Sequence, residues 1–121
     1  MFPASVPAAS LPPAFSNARD LEGFLATYAD DVKVYDLPGT SFPTIDGIVA
    51  MRKTYGELFQ KFPAIHCRGA ERMVEGRFVI DQEVCSLDPT KPPFHAAATY
   101  EVVDGRIKRV WFADAQAPAE K

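Results

Sequence analysis

Apolar positions change their spacing partway along the chain, from a helical period to an alternating one. Leu21, Phe24, Leu25 and Tyr28 fall at i, i+3, i+4 and i+7, which predicts a helix capped by Asp20. The run Val32-Lys33-Val34-Tyr35-Asp36 then reads as a short strand stopped by Leu37-Pro38-Gly39. A second helix is predicted from about Gly47, with Ile48, Met51, Tyr55, Leu58, Phe59 and Phe62 on one face and Pro63 as its end. Its other face, with Arg52, Lys53, Glu57 and Lys61, is a solvated surface. From Ile65 the period becomes two. Strands are predicted over 65–74, 77–87, 94–103 and 106–113, punctuated by Glu75-Gly76, by Asp88 to Pro93 and by the hairpin dipeptide Asp104-Gly105. Helices first and strands after is the α+β order, with an antiparallel meander curling over the helices.

Asp36 shares its strand face with Val32 and Val34, because side chains alternate. If that face is apolar and inward, the carboxyl is desolvated, its pKa rises, and it becomes a candidate general base or acid. With 121 residues, 47% hydrophobic and 24% charged, the chain reads as one globular domain. A net charge of -3 argues against a nucleic-acid partner, and Arg68, Arg72 and Arg77 read as strand surface. Cys67 and Cys85 fall on neighbouring strands, so a disulfide is geometrically possible. They read as two reduced thiols, since nothing else suggests an oxidising compartment. Residues 1–13 form a Pro-rich arm without the basic start or unbroken apolar run of a leader, which gives a cytoplasmic reading. Pro12-Pro13 opens a helical turn, and residues 14–121 make the domain. No segment has the roughly 20 apolar residues of a membrane span.

The string from Asn17 through Asp20-Leu21-Glu22-Gly23-Phe24 to Asp36, then Asp46-Gly47 opening a helix, then Tyr100 to Trp111, resembles the nuclear transport factor 2-like superfamily. Within it, the resemblance is to ketosteroid isomerases and SnoaL-like polyketide cyclases. It implies a cone: a strongly curved, mainly antiparallel sheet wrapped over N-terminal helices, a ligand cavity at one end, and a homodimer packed through the sheet. It also implies that Asp36 occupies the isomerase general-base position and Tyr55 that of a pocket tyrosine. The isomerase oxyanion hole, a tyrosine plus a neutral carboxylic acid, would fall near Pro12 and Ala98, where neither group is present. Ketosteroid isomerase activity itself is therefore not expected.

Strand parity extends the expected site. With Asp36 and Ala98 inward, Phe94, Ala96, Tyr100 and Val102 face in, as do Val110, Phe112 and Asp114. Asp36, Tyr55 and Asp114 are then the catalytic candidates, with Asp114 alternatively a solvated acid at a fraying strand end. Phe24, Tyr28, Val34, Met51, Phe59, Tyr100 and Phe112 are the ligand-lining candidates. His66 reads as a hydrogen-bonded structural residue and His95 as outward-facing. No spacing of His, Cys, Asp or Glu suggests a metal site, and no cofactor motif is present. Three functions fit: a cofactor-free isomerase, cyclase or lyase using Asp36 on a small apolar carbonyl compound, a non-catalytic small-molecule-binding module, or a dimerisation scaffold with a filled pocket. Ala97, Thr99, Val103 and Trp111 on the outer sheet face favour a homodimer.

Overall fold

The computed structural model describes residues 20–114 and, of Asp114, the backbone alone. The Pro-rich arm (1–13) and the turn expected after Pro12-Pro13 lie outside the described residues. Helix α1 spans Leu21–Ala26, and Asp20 caps it by accepting a hydrogen bond from the Gly23 amide at 3.0 Å. The helix expected to reach Tyr28 stops earlier because Tyr28 already pairs with Ile107 as the first residue of strand β1 (Tyr28–Asp36). Strand β2 is only Ile45–Asp46, too short to read from a pattern, and it pairs with Lys33 and Val34. Gly47, at φ 95°, then turns the chain into helix α2 (Ile48–Lys61), a backbone state that a side chain would strain.

Four strands follow: β3 (His66–Glu75), β4 (Phe78–Ser86), β5 (Phe94–Val103) and β6 (Arg106–Asp114). They form the expected antiparallel meander, and the sheet runs β2-β1-β6-β5-β4-β3 with β1 and β6 parallel. Asp104 at φ 53° and Gly105 at φ 80° give the β5–β6 hairpin two left-handed residues, the turn whose twist matches that of the strands. The result is a curved, mixed six-stranded α+β sheet with the helices packed on one face.

The core joins Phe24 and Leu25 of α1 and Met51 and Phe59 of α2 to Tyr28, Val32, Val34, Val79, Ala98, Tyr100, Val102, Ile107 and Val110 of the sheet. Six residues cannot hold a helix in water by themselves, so α1 exists through this packing. Phe24 is the hinge of the contact, with ring centroids 4.8 Å from Tyr55, 5.0 Å from Tyr28 and 5.9 Å from Phe59. Each large side chain so buried contributes about 1.5–3 kcal/mol.

Cys67 and Cys85 are direct cross-strand partners and are joined in a disulfide, which corrects the reading of two reduced thiols. Across a sequence separation of 18, restricting the unfolded chain in this way is worth about 3 kcal/mol. It ties the edge strand β3 to β4.

Candidate functional site

Strand β4 is patterned inside out. Along Phe78–Ser86 one parity carries Phe78, Ile80, Gln82 and Val84, and the other carries Val79, Asp81, Glu83 and Cys85. Hydrophobicity by itself would turn the first set inward. The fold buries the second: Asp81 is 2% exposed and Glu83 4%, while Phe78, Ile80 and Val84 are half-buried on the outer face. Three cross-strand ties fix that choice. Cys85 is bonded to Cys67, Glu83 accepts a hydrogen bond from the Tyr100 hydroxyl at 2.8 Å, and Asp81 receives Arg72 Nε at 2.6 Å and Nη2 at 2.7 Å.

The Arg72 contact depends on a register shift in β3. Gly69 pairs with Glu83, but Glu71 pairs with Gln82, so Ala70 is an extra residue. Before it, odd positions face the core side, and after it, even ones do. Arg72 therefore turns toward Asp81 with its side chain 26% exposed, while Arg68, Arg72 and Arg77 all remain exposed residues, as their reading as strand surface expected. Arg77 instead joins Arg109 around the buried Glu101, at 2.7 and 3.0 Å.

Glu83 is a desolvated acid that no cation pairs with directly among the described residues. Burial pushes its pKa up to about 7, with help from Asp81, against the opposing Tyr100 hydrogen bond and the Arg72 charge. The hydrogen bond from Tyr100 is the only one that it makes among the described residues, so the second carboxyl oxygen, Oε1, has no protein partner there. Three phenols surround the acid electrically. Burial raises the pKa of Tyr28, Tyr55 and Tyr100, and the charge of Glu83 raises each further. All three are protonated donors at neutral pH. The Tyr28 hydroxyl, in a side chain 2% exposed, makes no hydrogen bond among the described residues. Native interiors rarely leave such groups unmatched, and each one marks a place where a water or a ligand is accommodated.

Asp36 sits elsewhere. It is exposed at the end of β1, opposite Phe112, with Leu37-Pro38-Gly39 following, and accepts no tyrosine hydrogen bond among the described residues. The expectation of a buried acid on the face of Val32 and Val34 is therefore corrected: alternation holds, but the strand leaves the core before its last residue. Its charge still reaches Tyr55 and raises that phenol's pKa, which puts Asp36 at the rim of the same site. Phe24, Tyr28, Val34, Met51, Phe59 and Tyr100 are buried together, with Tyr55 and Phe112 half-buried against them. The side chain of Asp114 lies outside the described residues. His66 and His95 are both exposed, and His66 makes no side-chain hydrogen bond among the described residues, contrary to its expected structural role. Cys67, Glu83 and Cys85 bring three potential ligand atoms within 4.8 Å of one another, but with the sulfurs bonded together they offer a cation only the carboxyl. Sequence reasoning missed Glu83, Asp81 and Arg72. The available signal was the pair of acids sharing parity with Val79 and Cys85.

The same arrangement of strands and helices recurs in solved structures. An uncharacterised cystatin-fold protein from Novosphingobium aromaticivorans superposes with a TM-score of 0.72 at 22% identity, covering 87% of this chain and 93% of that one. A candidate ketosteroid isomerase from Kribbella flavida gives 0.67 at 24%, covering 87% and 73%. An LEH-like epoxide hydrolase of M. tuberculosis gives 0.66 at 17%, covering 83% and 74%. At these identities the likeness is one of fold, and it bears out the expected nuclear transport factor 2-like architecture. No curated protein matches the chain. With the curved sheet, the helix-covered site and a match over residues 13–110, the chain belongs to the SnoaL-like domain family.

Proposed function

We propose that this protein is a cofactor-free acid–base catalyst, of the isomerase or cyclase kind, acting on a small apolar carbonyl compound, with Glu83 as the proton carrier. The observation that carries this reading is the buried Glu83–Tyr100 pair, 2.8 Å apart, with Oε1 of the same carboxyl left without a partner among the described residues. An acid titrating near pH 7 takes and returns a proton with little driving force wasted in either direction, which is what a shift of a hydrogen between two carbons beside a carbonyl requires. Tyr28 supplies the remaining need. Its hydroxyl is a buried donor suited to the oxygen on which enolate charge develops.

A second reading keeps Asp36 as the base, supported by its charge reaching Tyr55. Both are tested by following deuterium exchange into a panel of cyclic enones and ketones by NMR. Exchange that survives Asp36→Asn and is lost in Glu83→Gln supports the first reading, and the opposite pattern supports the second. Binding without exchange above the uncatalysed rate in the wild-type protein would leave a small-molecule-binding module.

We further propose a homodimer through the outer sheet face. There the register aligns Tyr35, Trp111, Thr99, Ile80 and Met73 in one row across five strands, with Tyr35 and Trp111 stacked at 5.9 Å and Met73 61% exposed. An outward row of this composition is a surface that seeks cover. Sedimentation at micromolar concentration is expected to give a dimer, and Trp111→Arg a monomer of unchanged helix content. A wild-type monomer would refute the assembly.

A further inference from the structure

Gly69 stands directly opposite Glu83 in the β3–β4 pair, just before the extra residue Ala70. Paired residues of antiparallel strands send their side chains to the same face, with Cβ atoms about 4.5–5.5 Å apart. Cys67 and Cys85, two residues along, confirm that face by their disulfide. A Cβ built on Gly69 meets no described atom within 4 Å, and Gly69 itself is exposed although Glu83 is not. Its φ lies outside the left-handed region, so the backbone does not demand glycine, and the neighbouring bulge does not require it either. A glycine inside a strand without a conformational reason marks a place where something approaches the backbone closely.

What borders the gap defines what fits. On one side is the Cys67–Cys85 disulfide, which is uncharged, and on the other Arg72 and Asp81 neutralise each other through two hydrogen bonds. At the bottom is Glu83, with Oε1 unpartnered among the described residues. We propose that the gap over Gly69 is the opening and subsite through which a slim, uncharged molecule bearing a carbonyl or hydroxyl oxygen reaches Glu83. Oε1 of the protonated Glu83 carboxyl donates to a carbonyl oxygen, or the ionised carboxylate accepts from a hydroxyl, and the apolar body lies over the glycine and against the disulfide. Branched or anionic molecules are excluded, the first by width and the second by the ionised Glu83. This assignment rests on Glu83 being the functional acid and adds how that acid is reached.

The test uses chemical access as well as activity. A water-soluble carbodiimide with a small amine modifies Glu83, read by peptide mass spectrometry near pH 6, with the exposed Glu75 as the internal reference. Gly69→Leu is expected to slow modification of Glu83 at least tenfold relative to Glu75, with Gly69→Ser intermediate and both melting temperatures within a few degrees of wild type. Should Gly69→Leu fail to fold, the graded loss from wild type to Gly69→Ser is the readout. Exchange into the enone panel should fall in the same order, first for substituted members. Modification that is equally fast in wild type and variants, or absent in wild type, overturns the opening. The two readings separate cleanly: blocked modification without any wild-type exchange keeps the opening and removes the catalysis, whereas wild-type exchange untouched by Gly69→Leu keeps the catalysis and removes the opening.

Discussion

Glu83→Gln is expected to abolish proton exchange, with a loss of at least about 100-fold, and yet to yield a protein more stable than wild type at pH 8. The second half follows from linkage. The carboxyl rises from an ordinary value of 4.5 to about 7 on folding, chiefly because burial disfavours the charged form. Its contribution to stability is fully present below about pH 4.5 and is lost as pH rises through about 7, because ionisation then opposes folding. At about 1.4 kcal/mol for each tenfold change in proton affinity, the loss is about 3 kcal/mol. Gln keeps the shape of the neutral acid, accepts from Tyr100 through its carbonyl oxygen and does not ionise. Urea midpoints should therefore nearly coincide for the two proteins at pH 4.5 and separate in favour of the variant by pH 8. Parallel pH dependences in wild type and Glu83→Gln would show that this carboxyl is not the buried acid.

Removing Arg72 is the most damaging single change expected for the fold. Asp81 has a side chain only 3% exposed, and both its oxygens are held by Arg72, whose side chain is 26% exposed. Breaking a buried pair from one side strands the other charge and costs about 3–5 kcal/mol. Arg72→Met should lower the urea midpoint accordingly, whereas Arg72→Met combined with Asp81→Leu should recover most of the loss, because the stranded Asp81 charge is then gone. A single variant as stable as wild type would mean that water reaches Asp81. The same substitution bears on the site: the Arg72 charge lowers the Glu83 pKa, so Arg72→Met should move the midpoint of the exchange profile to higher pH.

The interior of the proposed site differs from the one expected because the chain placed its acid on a different strand. Phe24, Tyr28, Met51, Phe59 and Tyr100 are buried in one cluster. The acid at their centre is Glu83, and Asp36 remains at the rim.

Period, capping and turn chemistry are local, and wherever they governed an element the sequence determined it. Asp20 caps its helix, the stripe from Ile48 to Phe62 buries Met51 and Phe59, and Asp104-Gly105 makes the last hairpin. The alternation of Ala98, Tyr100 and Val102 against Val110 likewise set which face of β5 and β6 is buried. Tertiary structure decided what no local signal carries. Tyr28 joined a strand because its partner, Ile107, lies 79 residues away. Ala70 bulged, which turned Arg72 inward, and β4 buried its acids in preference to its more apolar parity. Hydrophobicity favoured the opposite orientation of β4. It was outweighed by a disulfide, a phenol–carboxyl hydrogen bond and a bidentate ion pair, which together form only once β3, β4 and β5 are side by side.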